Sequence, residues 1–139
     1  MIRKIASVLS MLALTAVLAF AAPTALTVSL LKVNNYAVQA GDLTLTPVAC
    51  DAVNGNSYQA SGTEILFVQN TDTSPHTFTV NSVPDAYGRT DTSLAAYSVA
   101  SAGLAVIQMK QMQGWAGSGQ IVTLTCSSNL LKFSVLRTN

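Results

Sequence analysis

Residues 63–83 read TEILFVQNTDTSPHTFTVNSV, and this stretch decides the fold. Two runs rich in β-branched and aromatic residues flank Asn70-Thr71-Asp72-Thr73-Ser74-Pro75, a cluster of turn formers. The pattern predicts strand, tight polar turn, strand. The first run, 63–69, is nearly continuous in apolar residues, as a buried central strand would be. The second, 76–83, alternates, with Phe78 and Val80 on one face and Thr77, Thr79 and Asn81 on the other. His76, the single histidine of the chain, begins this second run. The stretch therefore poses a choice between a metal-binding β-sandwich and one that only binds surfaces.

Outward from this hairpin the chain keeps the same rhythm of short strands and turn signals. Strands are expected at 26–33, 43–50, 57–60, 94–99, 104–109, 120–126 and 130–137. Asn54-Gly55-Asn56, Ser61-Gly62, Ala102-Gly103 and Ser127-Ser128-Asn129 punctuate them. Two longer loops, PDAYGRTDTS at 84–93 and QMQGWAGSG at 111–119, interrupt the series. No stretch after residue 26 combines helical periodicity with caps. The expectation is an all-β chain: an antiparallel, jelly-roll-like β-sandwich of about eight strands over residues 26–139, preceded by an apolar segment at 1–25. Its core should draw on Ile65, Phe67, Phe78, Val80, Val106, Ile107, Val122, Leu124, Leu131, Phe133 and Val135.

Composition narrows the function class. The 139 residues suffice for one domain with its own core. Half are hydrophobic, yet only 9% are charged, against about 25% in a typical soluble domain. Thr, Ser, Asn, Gln and Ala must therefore form the surface, which suits lattices, pili and secreted modules. The net charge is +1, and the five Lys and Arg beyond residue 31 are scattered, so no nucleic-acid partner is indicated.

Arg3 and Lys4 precede an uncharged run, 5–31, broken only by Pro23, and Ala19-Phe20-Ala21 has the small-x-small form of a signal-peptidase site. Three readings stay open: a secretory signal, an anchor with residues 5–22 in contact with a membrane, or an arm packed on a partner subunit. The two cysteines, Cys50 and Cys126, both fall in expected strands. They allow one disulfide in an exported chain, or two buried thiols.

Catalytic and metal chemistry find little support. The strand, Asn-rich turn and His-Thr-Phe-Thr-Val resemble the first-histidine region of cupredoxins. A blue-copper site, however, needs two His and a Cys, usually with a weak axial Met, and this chain has one His. No serine stands in a G-x-S-x-G elbow, and His76 is the single candidate base. Asp85 and Asp91 bracket Tyr87-Gly88-Arg89; pairing with Arg89 and with turn amides explains them more simply than acid catalysis or calcium binding. No catalytic residue, cofactor or metal is expected. Tyr87, Arg89 and Trp115, which lie in the two long loops, are the candidate interface residues, because Trp, Tyr and Arg are enriched at binding hot spots. The competing reading places Trp115 as a cap on one end of the sandwich.

Three segments carry a family resemblance: NGNSYQASGTEILFVQNTDTSPHTFTV, VPDAYGRTDTSLAAYSVASAGLAVI and GWAGSGQIVTLTCSSNLLKFSVLR. Their order resembles that of small β-sandwich proteins of tailed-bacteriophage heads. In those, an N-x-G-x-x-x-L-x-V-x-N strand precedes a Thr-Val-Thr strand. A Y-G-R-T loop, an S-V-x-A-G turn and a closing V-x-F-A-V-I-R strand follow. The counterparts here are 61–70, 77–80, 87–90, 98–103 and 131–137. The resemblance implies a virion location and a minor capsid or head-decoration protein that binds the major capsid protein, as a homo-oligomer. The apolar N-terminus departs from that pattern. It keeps a second expectation in place: a secreted or envelope-anchored bacterial β-sandwich module, adhesive or filament-forming.

Overall fold

The computed structural model describes residues 21–31, 45–91, 94–110 and 113–138. Ten strands follow one another: β1 (Thr24–Ala25), β2 (Val28–Leu30), β3 (Val48–Ala49), β4 (Asn56–Gln59), β5 (Glu64–Asn70), β6 (His76–Val80), β7 (Tyr97–Val99), β8 (Leu104–Met109), β9 (Ile121–Cys126) and β10 (Leu131–Arg137). They form two five-stranded sheets. Sheet A has the order β1-β4-β9-β6-β7; sheet B has β2-β10-β5-β8, with β3 also paired along β10. The chain is thus the all-β sandwich that its turn spacing predicts.

The sheets are mixed rather than purely antiparallel. β1 runs parallel to β4 and β2 parallel to β10, while the other pairings are antiparallel. The cause lies in the run expected as one strand over 26–33. It is already extended at Thr24, pairs first with sheet A and then passes to sheet B. Leu26, buried at the crossing, joins the core. Thr24 and Ala25, assigned by the sequence to the N-terminal segment, therefore belong to the sandwich. Residues 5–20 of the candidate membrane contact lie outside the described residues, and no described helix is long and apolar enough to cross a membrane.

The core fills the space between the sheets. Phe78 and Val80 of β6 and Val122 and Leu124 of β9 face Leu66 and Val68 of β5 and Leu131, Phe133 and Val135 of β10, all essentially without solvent contact. Phe78 meets Phe133 edge-on across the sheets, with ring centroids 6.1 Å apart, a favoured aromatic geometry. Three expected core residues lie elsewhere. Ile65 and Phe67 are half-buried, and Val106 is 55% exposed. The phase of β5 is set by Glu64, Leu66, Val68 and Asn70, all buried. Its odd-numbered residues consequently face away from sheet A, and Val106, paired with Phe67, shares that outer face.

Cys50, just after β3, and Cys126, the last residue of β9, form a disulfide. Because β3 belongs to sheet B and β9 to sheet A, the bond ties the two sheets together. The cross-link spans 76 residues, a loop worth about 4 kcal/mol in the chain-entropy treatment. The double variant Cys50→Ser/Cys126→Ser should lose about 2–4 kcal/mol of unfolding free energy in urea. An unchanged midpoint would show that the bond does not support the fold.

Candidate interaction site

Residues 81–91 and 113–120, in the two long loops, meet at one end of the sandwich. The Gly114 carbonyl accepts the Val83 N–H at 2.7 Å and the Ser82 hydroxyl at 2.9 Å, and the Ser82 oxygen in turn accepts the Asp91 N–H. Gly114 can offer that carbonyl because it adopts a left-handed conformation, φ +90°. The clasp seats Trp115 in the core at 6% exposure. Trp115 thus caps the end of the sandwich and lines an open cleft of about 410 Å³ together with Asp85, Arg89, Thr90, Asp91, Gln113 and Gly114. A largely buried indole is a wall, not a projecting anchor, so the structure moves Trp115 from the exposed interface group to the packing end.

Tyr87 and Arg89 do project. Asp85 organises their loop: its Oδ1 accepts the Tyr87 and Arg89 N–H groups, and its Oδ2 accepts Arg89 Nε at 2.8 Å. Arg89 Nη2 approaches the same Oδ2 at 2.7 Å. The Arg89 guanidinium lies 5.1 Å from the centre of the Tyr87 ring, a cation–π distance. Hydrogen bonds from the Arg89 backbone and side chain, in that order, hold the Asp85 carboxyl below its usual pKa. The result is an ordered tip whose aromatic ring is 82% exposed.

Beneath the same end lies a polar group that the sequence did not single out. The Glu64 carboxylate is fully buried and accepts the Ser61, Gly62 and Thr63 N–H groups, the Ser61 hydroxyl at 2.6 Å and Arg137 Nε at 2.7 Å. Burial pushes this carboxyl up, but the bonds from Ser61, then Arg137 and Gly62, outweigh it and hold the pKa at about 2. Arg137 also donates to the Gln59 carbonyl, so the cluster joins β4, β5 and β10. A signal was present: a Ser-Gly-Thr turn directly before a glutamate that opens an apolar run. Nearby, burial and then the Glu64 charge push the Tyr58 phenol upward.

The remaining polar side chains also serve turns. Asn70 Nδ2 donates to the carbonyls of Ser74, Val99 and Ala100, while its Oδ1 accepts the Asp72 N–H. His76 Nε2 lies 2.7 Å from Asp72 Oδ2. That bond, ahead of the Thr73 N–H, lowers the Asp72 pKa. The pair has the form of a base with its orienting acid, but among the described residues no hydroxyl is bonded to the imidazole to act as nucleophile. Asp51 accepts the N–H groups of Val53 and Asn54 and bonds Thr24 of β1. The Asn54 backbone and side-chain bonds lead in lowering its pKa to about 2. Among the described residues no cluster of three His, Cys, Asp or Glu side chains could hold a metal.

Asp85 and Asp91 line the same cleft, but Asp85 is already engaged by Arg89 and two amides. Comparison with known protein families, curated proteins and solved structures gives no match to this chain.

Glu64 makes stability depend on acid. A carboxyl whose folded pKa is depressed contributes stability above its unfolded pKa and loses that contribution as pH falls through the folded value. Unfolding free energy should therefore fall as pH drops from about 4.5 toward about 2. Glu64→Gln should be less stable at neutral pH by about 3 kcal/mol, since Arg137 loses its buried partner. The gap to wild type should narrow in acid, as followed by urea titrations at several pH values. A gap independent of pH would place the effect outside the carboxylate's charge.

Proposed function

We propose that this chain is a structural virion protein, a minor capsid or decoration protein that binds the major capsid shell and has no catalytic role. The observation that carries the reading is how the ionisable side chains are used. Glu64, Asp51, Asp72, His76 and Asp85 are turned onto the chain's own turns and ion pairs. What remains outside is rich in hydroxyl, amide and apolar groups, with the ordered Tyr87–Arg89 tip projecting from it. Interface cores are depleted in charge and enriched in Tyr and Arg, so such a surface fits a lattice partner. The resemblance to tailed-phage head proteins in the strands around residues 61–80 and 131–137 adds to this support.

One observation favours the second reading, a secreted or envelope-anchored β-sandwich module. The Cys50–Cys126 disulfide belongs most naturally to an oxidising compartment. N-terminal mass analysis of the native protein separates the two readings. The capsid reading expects an intact N-terminus in purified particles; a chain beginning at or just after Ala22, recovered from the envelope or medium, sinks it. On isolated shells, Tyr87→Ala/Arg89→Ala should weaken co-sedimentation roughly 30-fold, as for a hot-spot pair, without changing the unfolding midpoint. Undiminished binding would remove the tip from the contact.

A further inference from the structure

The four edges of the two sheets are not alike. Sheet A ends in β1, two residues, and β7, three residues. One side of sheet B ends in β2 and β3, of three and two residues. Very short edge strands are a common means of discouraging edge-to-edge pairing. The remaining edge, β8, is six residues long, LAVIQM, with no proline and no charge. Its register with β5 is unbroken from Glu64↔Met109 to Gln69↔Leu104, so no bulge twists it away. Among the described residues, no backbone hydrogen bond beyond the β5 ladder reaches 104–109. An antiparallel edge strand turns alternate N–H and C=O groups outward. Leu104 and Val106 stand at 60% and 55% exposure beside them, next to half-buried Phe67 on the paired strand.

We infer that β8 is a self-association edge, pairing antiparallel with β8 of a second copy about a two-fold axis at Val106. The strand is self-complementary in this register. Val106 faces its own counterpart, Leu104 faces Gln108, and Lys110 of each copy stands opposite Ala102 of the other. Ala102 lies in the turn held by Asp72, whose carbonyl accepts the Ala102 N–H and the Ser101 hydroxyl. Each exposed Lys110 is thus eight positions along the strand from its counterpart, and the register sets no like charges opposite each other. The four-strand path of sheet B becomes eight strands running through both copies, with the apolar outer faces joined at their centre. The inference does not rest on the capsid reading, because association is read on the protein alone.

The test uses the full chain in analytical ultracentrifugation over a concentration series. Wild type should sediment as a reversible dimer. Val106→Lys places two like charges opposite each other at the axis, which is destabilising, and should weaken dimerisation at least tenfold; Val106→Glu should do the same. Mixing V106K with V106E should restore a heterodimer, which a misfolded variant could not form. A wild type that stays monomeric to its solubility limit overturns the inference. So does a V106K protein that dimerises like wild type, or a K/E mixture that stays monomeric. A monomeric wild type whose binding to isolated shells is lost in V106K would assign the edge to the shell instead, and equally overturns pairing with a second copy.

Discussion

Glu64 carries its carboxylate into the interior at the first residue of β5, where three consecutive amides, a hydroxyl and Arg137 receive it. Seven residues in a strand have only two phases, and a shift of one exchanges every side chain between faces. Burial of Glu64 at one end and Asn70 at the other selects the phase with Leu66 and Val68 inside. Because β5 pairs with both β8 and β10, the same choice propagates to them. Phe133 and Val135 turn inward with it, and Val106 outward. The turn at 61–63 and the closing arginine of β10 are therefore part of the specification of the core, although neither contributes apolar surface to it.

The alternating strands were the readable ones. In β6, β9 and β10 polar and apolar residues take turns, and Phe78, Val80, Val122, Leu124, Leu131, Phe133 and Val135 lie inside as their periodicity dictates. In β5 and β8 apolar residues occupy both phases, and periodicity cannot choose between them. A glutamate at the head of β5 looks like a solvent marker, so the even phase looks exposed. The reverse holds because its partners are the turn just before it and an arginine some seventy residues away, and the second is not visible in a local window. The parallel edges escaped for a similar reason: nothing in the run 24–30 says that it changes sheets at Leu26. At the loop end, the chemistry of Tyr87 and Arg89 was legible as an Asx-type turn around Asp85. The burial of Trp115 follows from the Ser82–Gly114 clasp, a contact between two loops.

Polar residues in this fold fall into two groups with different consequences. Asn70, Asp51, Asp85 and Glu64 each accept or donate several bonds to turn backbone, and so hold loop geometry where few apolar contacts are available. Thr71, Ser82 and Ser127 make only one or two bonds each through their hydroxyls, between neighbouring segments. A chain with so few charges needs the first group to define its shape. It has little long-range electrostatic repulsion with which to keep neighbours away.

β10 lies between β5 on one side and β2 and β3 on the other, yet it is the last strand described along the chain. Until residues 131–137 have been made, the strands it separates have no common partner, and half of the inner face of sheet B is missing. The sandwich therefore cannot close until residue 137 has been made, in a topology whose pairings are mostly long-range and hence slow to form. During that wait the apolar strand β5 and the uncharged strand β8 are available to other chains. Chain order thus leaves two apolar strands of sheet B, β5 and β8, exposed until β10 is made, independently of the stability of the finished sandwich.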